Sequence, residues 1–399
     1  MNRVAIDPAV HCIQYLPNVS LEDGGVVRFV LDICGVLAAH GMRVTLVTQD
    51  ATAAPTDWIG RDNKPGVLLL EQRALPAGLL TAKSLESIER LIDNNTVMHL
   101  HIPWVLSNFQ LARLARRRSV PYVVTPHGSL DTWSMSQKQI KKEIFWLLFG
   151  RVHYENAAFV HYTAASEQDQ ASRYVNKAAA KIIPCLFDCE SFKEVPDKKL
   201  ALEKFSAISE DKPNILFLSR LHPKKGVDIL VDAARILQGK VEFNILIAGP
   251  EDAAAQGYAR KLRKTVEDYG LLDQVHFIGM VQGQEKLSLY GLADLFVLPT
   301  HQENFGFVLV ESMACGTPVI TSFGVDIWRE IQEGGASIVN NIAEEVAVKI
   351  ESLLKDLPAL KALGGQSRKW VFQALAADRI ASEYFSMYVQ ALQTSQVRR

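Results

Sequence analysis

The amino-acid sequence predicts an α/β protein of two doubly wound domains, each a parallel sheet between layers of helix. Three observations lead there. Short apolar runs lack the polar alternation of a half-exposed sheet, as expected of strands covered on both faces. Amphipathic stretches of helical length separate them. The series then meets a polar stretch rich in Lys and Glu, 188–211, and begins again.

In the first series the strand-length runs are 12–16, 44–48, 67–70, 97–100, 122–125, 159–162 and 181–184. A helical pattern at 26–40 follows the first run and stops at Gly41, a residue suited to the left-handed position that ends a helix. A second pattern spans 85–94. After the polar stretch the runs are 214–219, 243–249, 275–279, 295–299, 319–321 and 337–339. Helices are predicted between them at 227–237, 255–269, 285–291 and 306–314, and Gly316 and Pro318 stop the last. A long helical pattern at 370–392 closes the chain, with Phe372, Leu375, Ile380, Tyr384, Met387 and Leu392 spaced along it.

At 399 residues the chain can hold two such domains. Chains of this size bury about three quarters of their unfolded surface. Hydrophobic residues at 48% and charged residues at 22% exclude disordered and collagen-like classes. With 43 basic and 44 acidic side chains the net charge is −1, so no overall field draws the protein to nucleic acid. Five cysteines, Cys12, Cys34, Cys185, Cys189 and Cys315, form no Cys-x-x-Cys pair. That scatter speaks against a disulfide framework or a zinc site and for a reducing compartment. The opening residues lack an apolar signal core, and no apolar run reaches the ~18 residues of a membrane span. A cytoplasmic protein is expected.

Ligands of doubly wound sheets bind beyond the carboxyl ends of the strands, where loops meet helix N-termini. After 295–299 comes Thr300-His-Gln-Glu303-Asn304-Phe305-Gly306-Phe307-Val-Leu-Val-Glu311. Glu303 stands in the loop before a helix, beside the amides of Asn304, Phe305, Gly306 and Phe307. Such a rim accepts from sugar hydroxyls through the carboxylate and donates through the amides. Glu311 lies inside an otherwise apolar helix, where a carboxylate wants a bidentate partner such as a ribose diol. A helix-dipole carboxylate and a surface glutamate are the plainer alternative.

After 214–219, Arg220-Leu-His-Pro-Lys-Lys225-Gly226 outlines a diphosphate clamp. Arg220 supplies a planar fork, Lys225 a point charge, and the helix start its amides. A solvated basic turn is the alternative. In the first half, Leu21-Glu-Asp-Gly24-Gly25 opens a helix, and paired glycines allow close approach to a diphosphate or an acceptor. Taken by themselves, a mere tight turn explains them better. His127 ends the strand 122–125, a place where histidine is by default structural. His99-Leu-His101-Ile-Pro-Trp104 follows another strand; the His-x-His pair invites a metal, but no third ligand is at hand.

The glutamate pair with seven residues between, the Arg-x4-Lys-Gly turn and the Gly24–Gly25 loop together resemble glycosyltransferase family four. The resemblance covers nearly the whole chain and is most specific over 216–321. It implies a retaining, nucleotide-sugar-dependent enzyme of the GT-B fold, two Rossmann-like domains facing across a cleft. The acceptor-side domain would be 1–190 plus a terminal helix of about 378–399 that crosses back, and the nucleotide-sugar domain 191–377. The two connections, at 188–211 and 376–378, would act as hinges that close on the donor. By the same resemblance Arg220 and Lys225 hold the donor diphosphate. Glu303 and the amides of Asn304, Phe305, Gly306 and Phe307 hold the transferred sugar, Glu311 holds the ribose, and backbone near Met280 and Val281 reads the base. That last loop has no acidic side chain to select guanine, which favours uracil. His127 matches the position whose histidine contacts the donor sugar near the scissile bond. His99, His101 and Trp104 read either as cleft-lining on the acceptor side or as packed core. No metal is implied, and no cofactor beyond a nucleotide-sugar co-substrate, with UDP-glucose the first choice.

One charge feature survives the neutral total. Between Arg113 and Arg151 lie eight basic residues (Arg113, Arg116, Arg117, Arg118, Lys138, Lys141, Lys142, Arg151) and two acidic ones (Asp131, Glu143), net +6. Its second part, 137–154, reads as a helix containing Ile144-Phe-Trp-Leu-Leu-Phe149. Such a helix can lie in a membrane interface, where about 1 kcal/mol per basic residue is available. A core helix with a solvated basic end is the preferred alternative.

The expected activity is hexose transfer from a UDP-sugar to a saccharide or lipid-linked saccharide in exopolysaccharide or envelope polysaccharide synthesis. The stretch Pro126-His-Gly-Ser-Leu130 with Trp133 is similar to bacterial polysaccharide transferases. A UDP-sugar epimerase or hydrolase on the same fold, or a non-catalytic sugar-nucleotide-binding subunit, is the alternative. The complete set Arg220, Lys225, Glu303 and Glu311 counts against the last of these.

Overall fold

The computed structural model describes residues 10–20, 25–71, 78–205, 208 and 210–397. Two compact units emerge. One takes the chain up to Phe187 and again from Ala377, and the other is Asp188–Ala376.

The first unit holds seven parallel strands: β1 (His11–Tyr15), β2 (Arg43–Thr48), β3 (Gly66–Leu69), β4 (Thr96–His101), β5 (Tyr122–Thr125), β6 (Phe159–Tyr162) and β7 (Ala180–Ile182). Their order is β3-β2-β1-β4-β5-β6-β7. Register places Cys12 opposite Val44 on one side and Val97 on the other. Every residue of β1, β4 and β5 is buried, which is why these runs show no polar alternation. The helix Gly25–Ala39 buries Val27, Phe29, Val30, Ile33 and Leu37 against the sheet. It ends with Gly41 at φ +92°, where Met42 N donates to Leu37 O and Gly41 N to Ala38 O.

The second unit repeats the plan with β8 (Asn214–Leu218), β9 (Asn244–Ala248), β10 (Val275–Gly279), β11 (Leu295–Leu298), β12 (Val319–Ser322) and β13 (Ser337–Val339). Their order is β10-β9-β8-β11-β12-β13. Each sheet therefore reverses its strand order once, at β1/β4 and at β8/β11. Those reversals are the points where loops diverge and leave a crevice.

Several helices depart from the periodicity. The helix expected at 85–94 is Ala82–Glu89, because the Thr81 hydroxyl caps it by accepting from Ser84 N at 3.1 Å. The one expected at 255–269 is Tyr258–Asp268, started by Gly257 at φ +82°. The terminal pattern is two helices, Leu357–Ala374 and Ala377–Val397, with apolar spacing continuing across the break. The stretch 137–154 runs as Gln139–Phe145, a π-helical turn Trp146–Gly150, and Arg151–Glu155. Among the described residues no helix is long and apolar enough to cross a membrane.

Candidate active site

Beyond β8 the chain passes Arg220 and a 3₁₀ turn, Pro223–Lys225, before the helix Val227–Leu237. Gly226 between them has φ +71°, and a Cβ there would lie 2.0 Å from Pro299 O. Only glycine lets this turn rest against the chain leaving β11. The contact is then tied by hydrogen bonds, since Lys224 O accepts from His301 N at 2.8 Å and from Thr300 Oγ1 at 2.9 Å. Across the β8/β11 reversal the Lys225 ammonium meets the Glu303 carboxylate in an ion pair, with side chains 11% and 24% exposed. The structure brings these two predicted residues together.

The Glu303 backbone is pinned on both sides. Its N–H donates to Gly324 O at 2.8 Å and its carbonyl accepts from Asp326 N at 2.9 Å. Asn304 Nδ2 donates to Asp326 Oδ2 at 3.0 Å. Gly306, at φ +68°, precedes the helix Phe307–Cys315, and a Cβ there would come within 3.3 Å of Glu303 Cγ. Phe305 is buried, and its ring lies 4.9 Å from that of Phe307.

Glu311 is buried in that helix as expected, at 3% exposure. Its Oε2 accepts from Lys286 Nζ at 2.9 Å and Tyr290 Oη at 3.0 Å, both from the helix Gly283–Leu292. Arg220 stands apart from the Lys225–Glu303 pair. Its guanidinium, 65% exposed, donates to Asp252 Oδ2 at 2.8 Å. Met280 is 60% exposed and Val281 is buried.

In the first unit Gly24 lies outside the described residues. Gly25 is the first residue of its helix, with open space where a Cβ would stand, so no close approach requires glycine there. His127 follows β5 in the left-handed region, φ +52°, and keeps a partly open face. The turn is held from behind by Glu167, whose carboxylate accepts from Gly128 N at 2.6 Å and from Thr163 N at 2.7 Å.

For His99 and His101 the packed-core reading holds and the cleft-lining one fails, because both side chains are wholly buried and hydrogen-bonded within the unit. Trp104 is half-buried, 5.8 Å from the Phe145 ring and 6.4 Å from Trp146, with Lys142 Nζ 5.2 Å above it. The loop bearing it is strained. Ile102, a β-branched residue, sits at φ +65°, held by Asn108 Nδ2 bonding to His101 O and Ile102 O.

Comparison with known families decides the class. A model described as "Glycosyl transferases group 1" matches residues 198–370, and one described as "Glycosyl transferase 4-like domain" matches residues 24–185. The chain belongs to the family-four glycosyltransferases.

This glycosyltransferase is 29% identical over 225 residues to a GDP-mannose-dependent alpha-(1-6)-phosphatidylinositol monomannoside mannosyltransferase of Mycobacterium tuberculosis. That match takes in 53% of this chain and 56% of the relative, so just over half of each. It is 26% identical over 388 residues to the D-inositol 3-phosphate glycosyltransferase of Segniliparus rotundus, covering 91% of this chain and 84% of that one. Among solved structures, Anabaena Alr3699/HepE in complex with UDP and glucose superposes with a TM-score of 0.73 at 18% identity, over 94% of this chain and 98% of that one. The likeness is one of fold: two Rossmann-like α/β units of the GT-B type.

The residues that sequence reasoning missed are mostly partners. Lys286, Tyr290, Asp252 and Asp326 each lie on a different element from the group they bind. None of them carried a signal in the sequence, where each is an ordinary polar side chain.

Proposed function

We propose that this glycosyltransferase is a retaining enzyme that moves a hexose from a UDP-sugar, UDP-glucose first, to a saccharide or lipid-linked saccharide acceptor of an exopolysaccharide or envelope polysaccharide. The observation that carries it is the Lys225–Glu303 pair at the β8/β11 reversal, beside the start of the helix that bears buried Glu311. A cation, a hydroxyl-accepting carboxylate and a helix start there suit a sugar diphosphate.

In this reading Lys225 exchanges Glu303 for the donor diphosphate, and Arg220 swings from Asp252 to join it. Both then stabilise charge developing on the leaving group. Glu303, released, accepts from hydroxyls of the transferred sugar with the amides of Asn304, Phe305, Gly306 and Phe307. Glu311, oriented by Lys286 and Tyr290, takes the ribose. His127 contacts the sugar near the scissile bond. The leaving diphosphate accepts the acceptor proton on the same face, so no protein base is needed and the anomeric configuration is kept. Neither a metal nor a cofactor beyond the nucleotide sugar takes part.

The base is argued from the loop Gly279-Met-Val-Gln-Gly283, which has no acidic side chain to meet the exocyclic amine of guanine. A thermal-shift panel of UDP, GDP and ADP with their sugars tests it, since a bound ligand stabilises by RT ln(1 + [L]/Kd). UDP and UDP-glucose should give the largest shift. A larger shift with GDP-mannose overturns the donor assignment.

The helix that starts at Gln139 supports a lipid-linked acceptor met at a membrane surface. Ile140, Ile144, Leu147 and Leu148 recur at i, i+4, i+7 and i+8 and are 75%, 55%, 71% and 60% exposed, flanked by Lys138 and Lys141. Co-sedimentation with phosphatidylglycerol vesicles, absent with phosphatidylcholine, is the expected result. No binding to either removes the membrane contact.

A further inference from the structure

We infer that the carboxy-terminal helix sets the tautomer of His127: a hydrogen-bond relay through Tyr388 and Gln14 commits the ring to carry its proton on Nε2 and leaves Nδ1 as a bare lone pair. The inference deepens the proposed function, in which His127 meets the transferred sugar, and rests on that reading only for its consequence.

The relay begins at the carbonyl of Ile183, just past β7, which can only accept. His161 Nε2 lies 2.8 Å from it and must therefore carry the proton. Tyr384 Oη, 3.1 Å from the same nitrogen, donates its own proton to Pro184 O and does not compete. All four histidines of the cluster are neutral. Burial pushes His127 down to about 3 and His161 to about 4, and drives His99 and His101 well below the ordinary imidazole range. In a neutral ring one nitrogen donates and the other accepts, so each step dictates the next.

His161 Nδ1 thus accepts from Thr125 Oγ1 at 2.7 Å. The Thr125 proton is spent, so His99 Nε2, 2.7 Å away, must be the donor to that hydroxyl. His99 Nδ1 is then bare and accepts from Tyr388 Oη at 2.8 Å. Tyr388 can only accept from Gln14, whose Nε2 lies 3.0 Å away, and this fixes which end of the amide is nitrogen. Gln14 Oε1 faces His101 Nε2 at 2.8 Å, which must be protonated. His101 Nδ1 is bare, and His127 Nε2, 3.0 Å from it, is the donor. Reversing the whole relay ends with His161 Nε2 and the Ile183 carbonyl facing each other as two acceptors, and reversing part of it leaves two acceptors facing each other at the break. That buried mismatch forbids it.

Tyr388 and Gln14 are therefore positioning residues. They touch neither donor nor acceptor, yet they decide what His127 offers. A bare Nδ1 selects a ligand group that donates, such as a sugar hydroxyl, and rejects one that only accepts, such as a fluorine in its place.

The test is tautomer analysis by long-range ¹H–¹⁵N correlation on the full chain labelled with ¹⁵N-histidine, with His127 assigned by its loss in His127→Gln. The protonated ring nitrogen of His127 should couple to both carbon-bound ring protons, the pattern of Nε2–H. In Tyr388→Phe the relay is cut and the pattern should change to a mixture of tautomers, whereas Tyr384→Phe, which removes only the side branch, should keep it. An Nδ1–H pattern in the wild type overturns the inference, as does an unchanged His127 signal in a folded Tyr388→Phe. Because the wild-type spectrum is itself decisive, a variant that fails to fold leaves the test intact. Calorimetry with UDP-glucose on the same sample separates the two readings: the expected tautomer without donor binding sinks the proposed function and spares the relay.

Discussion

In the proposed reading Glu311 joins stability to recognition in one side chain. Its carboxylate is almost wholly buried and accepts from Lys286 and Tyr290, so Glu311→Ala strands the Lys286 cation and leaves the Tyr290 hydroxyl only Val308 O, at 3.2 Å. An unsatisfied buried group costs about 1–3 kcal/mol, which should lower the melting temperature as well as weaken UDP. Glu303→Ala should spare UDP affinity and impair transfer, because its assigned partner is the sugar. Equal losses of UDP binding in calorimetry would refute that division. Lys225→Ala and Arg220→Ala should each weaken UDP by about 1.5–3 kcal/mol, the worth of a charged hydrogen bond, and lower turnover strongly. Wild-type UDP affinity in both variants would remove the clamp. Lys225, Glu303 and Glu311 could be singled out from the sequence because a charge beside a strand end or inside an apolar helix is chemically odd. Lys286, Asp252 and Asp326 could not, since each looks ordinary until the fold sets it against a residue from another element. His99 and His101 show the converse. Their residue type suggested chemistry, and burial made them part of the frame.

At the scale of elements, glycine separates local conformation from contact. Gly226 and Gly239 both sit in the left-handed region, at φ +71° and +76°. A Cβ on Gly239 meets nothing within 4 Å, while one on Gly226 would lie 2.0 Å from Pro299 O. Gly239→Ala should thus cost only the left-handed strain of about 1–2 kcal/mol and leave activity unchanged. Gly226→Ala should cost more and push apart the turns carrying Lys225 and Glu303, abolishing transfer. Similar unfolding free energies and rates for the two variants would show that the approach to Pro299 is unimportant. The central strands were legible because burial on both faces leaves uniform apolar runs, and the strand ends fall within a residue or two of the runs. Helix ends were less so. The break at Leu375 and Ala376 interrupts a chain whose apolar spacing does not change, and the π-helical turn at Trp146–Gly150 adds a shift that a fixed period of 3.6 cannot register.

Across the whole molecule the titrating groups are unevenly shared, and this gives the two units different responses to acid. His11, His99, His101, His127, His153 and His161 all belong to the unit that ends at Phe187 and resumes at Ala377. Burial holds His11 and His161 down to about 4 and His127 and His153 to about 3, with His99 and His101 also well below the ordinary range. The unit Asp188–Ala376 has His276, lowered by partial burial. A histidine whose folded pKa is depressed contributes stability that is present above its unfolded value of about 6.5. As pH falls below that value the unfolded chain takes up a proton that the folded chain refuses, and each such group removes about 1.4 kcal/mol per pH unit until its folded pKa is reached. The first unit should therefore weaken steeply between about pH 6.5 and 4, well before the second. Hydrogen exchange on the full chain at pH 7.5 and 5.5, corrected for the intrinsic rate, reads this strand by strand. Protection should fall in β4, β5 and β6 while β8, β9 and β11 keep theirs. The helix Ala377–Val397 sharpens the test, because in sequence it follows the second unit while Tyr384 and Tyr388 bond to His161 and His99 of the first. It should lose protection with β4 and β6. If it opens with β8 instead, or if both sheets weaken in parallel, the buried histidines do not govern acid stability.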